Sequence, residues 1–230
     1  MRQPWGIAER VRIGPIGPQG APGFVVVLPK GSINPGNASA PKGGMGFRWR
    51  PARRRGTSAC LTYALFLPPD FAFAQGGKLP GLFGGDAPVG GRRATGRNGF
   101  STRLMWRRRG RGEVYAYLPG HPPRRGTNMG RGASLGRGAW RFPTGRWVHV
   151  AQRLDLNRPG RRDGRVRIWI DGRLRFDRGG LVVRTRAGLT IDGVMADVFY
   201  GGASPRWAAP RDTFIGFSPF VLHLVGRSGS

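Results

Sequence analysis

The chain has 230 residues, enough for one β-sandwich or barrel with a substantial core, and its length gives little reason to expect two domains. Lys and Arg number 39 against 11 Asp and Glu, a net charge of +28 that favours an anionic polymer as partner without saying which: nucleic acid, anionic membrane or acidic polysaccharide. The single cysteine, Cys60, excludes an intrachain disulfide and a multi-thiolate zinc site, and no apolar run approaches the roughly 20 residues of a membrane-spanning helix.

From the N-terminus, Gly14-Pro15, Gly17-Pro18 and Pro22-Gly23 interrupt the chain too often for a signal-peptide core. Residues 1–23 are therefore expected to form an irregular arm, ahead of a domain over 24–224 and a flexible tail over 225–230. Phe24–Leu28 is a short continuous apolar run closed by Pro29, which suits a doubly buried strand. Further strands are expected at Gly46–Trp49, Leu61–Leu67, Phe100–Trp106, Val114–Leu118, Trp147–Leu156, Val166–Ile170, Leu174–Phe176, Gly188–Ile191, Val194–Tyr200 and Phe214–Leu224. Many short strands, turns rich in Gly and Pro, and almost no helical periodicity indicate an all-β sandwich. Asp171-Gly172 marks a hairpin; a three-residue loop with a bulge would place Ile170 opposite Leu174 and Ile168 opposite Phe176, keeping one face apolar.

Two segments carry possible chemistry. In the first, Phe100–Trp106 and Glu113–Leu118, the even positions Phe100, Thr102, Leu104, Trp106, Val114, Ala116 and Leu118 form a nearly continuous apolar face. The odd positions Ser101, Arg103, Arg107, Glu113, Tyr115 and Tyr117 form a polar one, with Met105 the exception. An odd-length hairpin loop brings Arg103 near Tyr115 and Ser101 near Tyr117. Such a patch suits β-elimination from a uronate, whose C5 proton leaves only if the adjacent carboxylate is neutralised while a base takes the proton and an acid protonates the departing oxygen. The same residues also suit ordinary strand aromatics with an exposed arginine beside them. The second segment, Gly76–Gly85, reads as an irregular glycine-rich loop that presents the single cation Lys78; it lacks the phosphate-binding P-loop pattern.

Here the chain resembles polysaccharide lyase family 14, the alginate and glucuronan lyases, from about Phe24 to Leu222. The resemblance rests on Leu28-Pro29-Lys30-Gly31-Ser32, Gly76-Gly77-Lys78-Leu79-Pro80-Gly81-Leu82, Ser101-x-Arg103 with Met105-Trp106, and Tyr115-x-Tyr117-x-Pro119. Trp147-x-x-x-x-Gln152, Asp163-Gly164 and Trp169-Ile170-Asp171-Gly172 extend it. It implies a jelly-roll β-sandwich of two antiparallel sheets with a polar groove on one sheet. It also implies metal- and cofactor-independent β-elimination of a β-linked polyuronate. In that reading Lys78 and Ser101 position substrate, Arg103 counters the carboxylate, and Tyr115 and Tyr117 handle protons. The partner would be polymannuronate, polyguluronate or glucuronan, with no specific nucleic acid and no membrane. The protein would act as a monomer, secreted or periplasmic.

Two other classes compete. A lectin-like module would bind the same polymer without turnover. A nucleic-acid binder is suggested by Arg48-Trp49-Arg50-Pro51-Ala52-Arg53-Arg54-Arg55 and by Met129-Gly130-Arg131-Gly132. The three histidines, His121, His149 and His223, are dispersed and suggest no metal site. His149 and Gln152 fall on opposite strand faces, and both are left outside the site.

Overall fold

A computed structural model describes residues 2–51, 55–120 and 132–225. In chain order the strands are β1 (Arg2–Trp5), β2 (Val11–Gly14), β3 (Gly23–Leu28), β4 (Met45–Trp49), β5 (Ser58–Phe66), β6 (Gly76–Gly85), β7 (Gly99–Arg107) and β8 (Gly112–Tyr117). They continue with β9 (Ala133–Leu135), β10 (Trp147–Asp155), β11 (Gly164–Ile170), β12 (Arg173–Leu181), β13 (Gly193–Tyr200), β14 (Thr213–Phe217) and β15 (Val221–Val225). They form the expected β-sandwich. One antiparallel sheet runs β1-β4-β13-β6-β7-β8-β9; the other runs β12-β11-β10-β5-β14-β3-β2, with β15 also on β5.

Alternation places one face of each sheet in a common core. Leu104, Trp106, Val114, Ala116, Val194, Ala196, Val198 and Tyr200 from the first sheet meet Leu61, Tyr63, Val148, Val150, Val166, Ile168 and Ile215 from the second. The even-numbered face of the β7–β8 hairpin thus lies in the core, as its pattern requires.

Three expectations are corrected. Residues 1–23 are not irregular throughout: β1 pairs with β4 and β2 with β3, so the segment lengthens both sheets, its Gly and Pro residues falling at the ends of short strands. Gly76–Gly85 is not a loop but the buried central strand β6, between β13 and β7. Its glycines leave room for neighbouring rings: a Cβ at Gly77 would collide with the Trp106 indole, and one at Gly84 would come within 2.6 Å of the Phe100 ring. Gly188–Ile191 forms no strand; Ile191 makes only an isolated bridge with Gly56.

The β11–β12 hairpin keeps Ile168 opposite Phe176 but pairs Ile170 with Arg173 and Trp169 with Leu174. Asp171 and Gly172 both take positive φ, which makes a tight two-residue turn, and the register slips one step further in, between Ile168 and Trp169. Half of Leu174 is left exposed as a result. The expected strand over Phe214–Leu224 is divided into β14 and β15 around Ser218-Pro219.

One polar contact crosses the core behind the polar face. Gln152 on β10 is fully buried and donates through Nε2 to the Thr102 carbonyl at 2.8 Å and the Thr102 hydroxyl at 3.0 Å. The Thr102 hydroxyl in turn donates to the Leu82 carbonyl on β6. This ties β10, β7 and β6 together beneath Ser101 and Arg103. Gln152→Ala is expected to lower unfolding free energy by about 1–3 kcal/mol, the cost of stranding such a buried group and opening a cavity, measurable by urea denaturation.

Candidate active site

The outward face of the first sheet carries the polar side chains. The β7–β8 register pairs Ser101 with Tyr117 and Arg103 with Tyr115, as the odd-length loop requires. On the other side of β7, Lys78 pairs with Met105 and Gly81 with Arg103; the register shifts between them, where Leu79-Pro80 form a bulge. Lys78, Arg103, Tyr115 and Tyr117 are thereby gathered on three adjacent strands. Ser101 is adjacent but differently used: it is fully buried and donates to the Pro88 carbonyl at 2.7 Å. It anchors the loop after β6, where Ala87 and Val89 pack on Phe83 and Met195 at one end of the groove.

Arg103 is 3% exposed and donates through Nη1 to Asp197 Oδ2 at 2.9 Å. Arg48 donates to the other oxygen, Oδ1, at 3.0 Å. Asp197 lies on β13, two strands from β7, a backbone separation of about 10 Å. Between them Gly81 presents no side chain, and the guanidinium reaches across β6 above it. Asp197 gives no local signal in the sequence; only the pairing of β13 with β4 and β6 brings it to the site.

A second carboxylate supports the tyrosines. Glu113 is wholly buried, two positions before Tyr115 on the same strand face, and binds Arg107, Ser134 and Arg137. Burial pushes its carboxyl up, but the bonds from Arg107, Ser134 and Arg137 prevail and hold it below the usual carboxylate range. Arg107, so anchored, stands 5.9 Å from the Tyr115 ring and 5.8 Å from that of Trp207.

Lys78 sits within this frame. Its Nζ lies 3.6 Å from the centre of the Tyr115 ring and 2.6 Å from Met105 Sδ. Burial, and then the charges of Arg103 and Arg107, drive its pKa well below the ordinary lysine range against the weaker pull of Glu113 and Asp197. Tyr115 moves the opposite way: burial first, then the neighbouring Tyr117, raise its pKa and keep the phenol protonated. The two rings meet edge to face at 5.7 Å. The arrangement joins an amine inclined to be neutral, a phenol that holds its proton, and guanidiniums able to meet an anion.

Other sequence candidates lie elsewhere. Gln152 is behind β7 in the core, and His149 lines a hollow on the far face of the second sheet with Trp169 and Val221. His223 is on β15, paired with Cys60, while His121 lies outside the described residues. No cluster of three or more His, Cys, Asp or Glu side chains fit for a metal occurs among the described residues. Of the Arg-rich segment that begins in β4, Arg48 is bound to Asp197 and Arg50 to the Gly85 carbonyl and Asp192, while 52–54 are outside the described residues. In the other basic segment, Met129–Arg131 are likewise outside them.

Comparison with known proteins adds three findings. The family model described as polysaccharide lyase 14 matches residues 18–220. An alginate lyase of that family from Aplysia kurodai superposes with a TM-score of 0.82 at 27% identity, over 97% of this chain and 90% of that one. An alginate lyase from a Chlorella virus (TM-score 0.76, 20% identity, 94% and 91% coverage) and an endo-β-1,4-glucuronan lyase from Trichoderma reesei (0.62, 11%, 97% and 88%) share the fold. No curated protein sequence matches the chain.

A buried lysine whose pKa is depressed costs stability wherever pH forces it to carry a proton. Below its folded pKa the charged form must sit in the groove; the cost fades as pH rises toward the unfolded lysine pKa. Lys78→Met is therefore expected to raise the melting temperature most at acidic pH, the gain shrinking as pH rises above the folded Lys78 pKa and vanishing by about pH 10, where unfolded lysine also loses its proton. Thermal melts of both proteins across pH check this.

Proposed function

The chain belongs to polysaccharide lyase family 14, and on that premise we propose that it cleaves a β-linked acidic polyuronate of the alginate or glucuronan class by β-elimination in the groove of the first sheet. The observation that carries the reading is the contact of Lys78 with the Tyr115 ring, because the same surroundings push the two groups toward opposite protonation states.

In the proposed reaction the uronate carboxylate lies against Arg103, whose remaining donors stabilise the negative charge that spreads onto it as the C5–H bond breaks. Neutral Lys78 takes the C5 proton. The electron pair forms the C4–C5 double bond, the C4–O bond breaks, and Tyr115 gives its proton to the departing glycosidic oxygen. One product end is an unsaturated uronate, the other a hydroxyl, and Tyr115 and Lys78 then exchange protons with solvent to restore the starting state. Tyr117 steadies the Tyr115 phenol through their contact. This refines the expectation that Lys78 only positions substrate, and it assigns Ser101 to holding the loop at Pro88. The proton-handling arrangement favours turnover over a binding module of the same fold.

The test is the ultraviolet absorbance of the unsaturated product after incubation with polymannuronate, polyguluronate and glucuronan. Absorbance is expected to rise with at least one polymer. Lys78→Ala and Tyr115→Phe should each lower kcat by about 10²–10⁴-fold, the range for loss of a general base or acid. The profile of kcat/KM should rise with pH as Lys78 loses its proton, below the ordinary lysine range, and fall only above the ordinary tyrosine range as Tyr115 loses its own. Binding without absorbance from any of the three polymers would instead make the protein a lectin-like module.

A further inference from the structure

The family match begins at residue 18, yet β1 places a tryptophan on the groove. Trp5 pairs with Gly46, and Gly46 with Asp197, so the three stand in one row across β1, β4 and β13. Met45 packs in the core and Phe47 against it, which puts the position of Gly46 on the groove face. A Cβ there would collide with the Trp5 indole nitrogen and come within 2.6 Å of Asp197 Oδ1. Glycine thus lets the indole lie down beside the carboxylate that binds Arg48 and Arg103. The indole meets the Phe199 ring edge-on, with centroids 6.0 Å apart and planes at 60°, and remains partly exposed.

We propose that Trp5, with Arg48 beside it, forms a distal uronate subsite of the groove: the indole is the platform for a pyranose ring and Arg48 meets that ring's carboxylate. The inference rests on the polyuronate reading of the site. Five strand steps of about 4.8 Å separate β1 from β8, so Trp5 stands about 24 Å along the sheet from Tyr115. A sugar at Trp5 is therefore several units from the bond that breaks. An aromatic ring supplies rigid apolar area at small entropic cost, and the face of a sugar ring supplies the matching C–H surface. Arg48 is spoken for only in part: Nη1 binds Asp197, Nε is buried without a partner, and the side chain as a whole is 12% exposed. The subsite would thus select long chains over short ones and anionic sugars over neutral ones.

The experiment is calorimetric titration of intact oligouronates, from disaccharide to hexasaccharide, into Tyr115→Phe and into Tyr115→Phe with Trp5→Ala. Alongside it, kcat/KM is measured for the polymer and for the shortest cleaved oligosaccharide with Trp5 present and replaced. The affinity loss from Trp5→Ala is expected to grow with chain length, reaching about tenfold for the longest member, the size of one aromatic stacking contact. The polymer-to-oligosaccharide ratio of kcat/KM should fall in parallel. Trp5→Phe keeps a ring against Phe199 and should recover part of the loss. No loss in Trp5→Ala, or an equal loss at every length, overturns the subsite. Binding without cleavage by the Trp5-containing chain would overturn the lyase reading while the length dependence still tests Trp5; no binding of any polyuronate overturns both.

Discussion

The ion triad Arg48–Asp197–Arg103 is the interaction on which the groove depends. It joins β4, β13 and β7, so one carboxylate fixes two guanidiniums drawn from strands far apart in the sequence. An unpaired guanidinium at 3% exposure would be costly, and a pair at this depth is worth little as stability once desolvation is counted. Its consequence is placement. Arg103 is held above Gly81, and its positive charge then helps to depress the pKa of Lys78.

Much of this was legible locally. The alternation from Phe100 to Leu118 gave both faces of the β7–β8 hairpin and the pairing of Arg103 with Tyr115, because period two and loop parity leave few alternatives. The position of Lys78 on a strand was not legible. The glycines at 76, 77, 81, 84 and 85 read as flexibility, whereas those at 77 and 84 admit the Trp106 and Phe100 rings and the one at 81 lies close against the β7 backbone, partners that only the folded sheet supplies. Asp197 and Glu113 were missed as anchors for the same reason: their arginines are fixed by sheet pairing and turn geometry instead of by a motif. Ser101 was placed correctly on the strand, yet its hydroxyl went to Pro88, a partner no pattern announces. At the N-terminus, Pro and Gly were given too much weight, since four-residue strands fit between them.

The large positive charge also looks different once folded. Among the described residues, eight of the eleven acidic residues are ion-paired to arginine, most of them at partly exposed sites where such pairs contribute little. The charge excess as a whole raises encounter rates with any polyanion and so does not discriminate among them. Discrimination requires cations that are buried, oriented and incompletely neutralised, and those concentrate on the outward face of the first sheet.

There the balance of charge argues for what completes the site. Asp197 faces two arginines, and Glu113 faces another two, so each carboxylate leaves its pair with a surplus of positive charge. Lys78, lying between the two clusters, has its pKa lowered by burial first and by that surplus second. A uronate carboxylate entering beside Arg103 would supply the missing negative charge, whereas a neutral sugar would leave that surplus uncompensated as water is excluded. In the proposed reaction the same surplus would become more useful as the C5 proton leaves and negative charge grows on the substrate, so the field that selects the ground state would also favour the transition state.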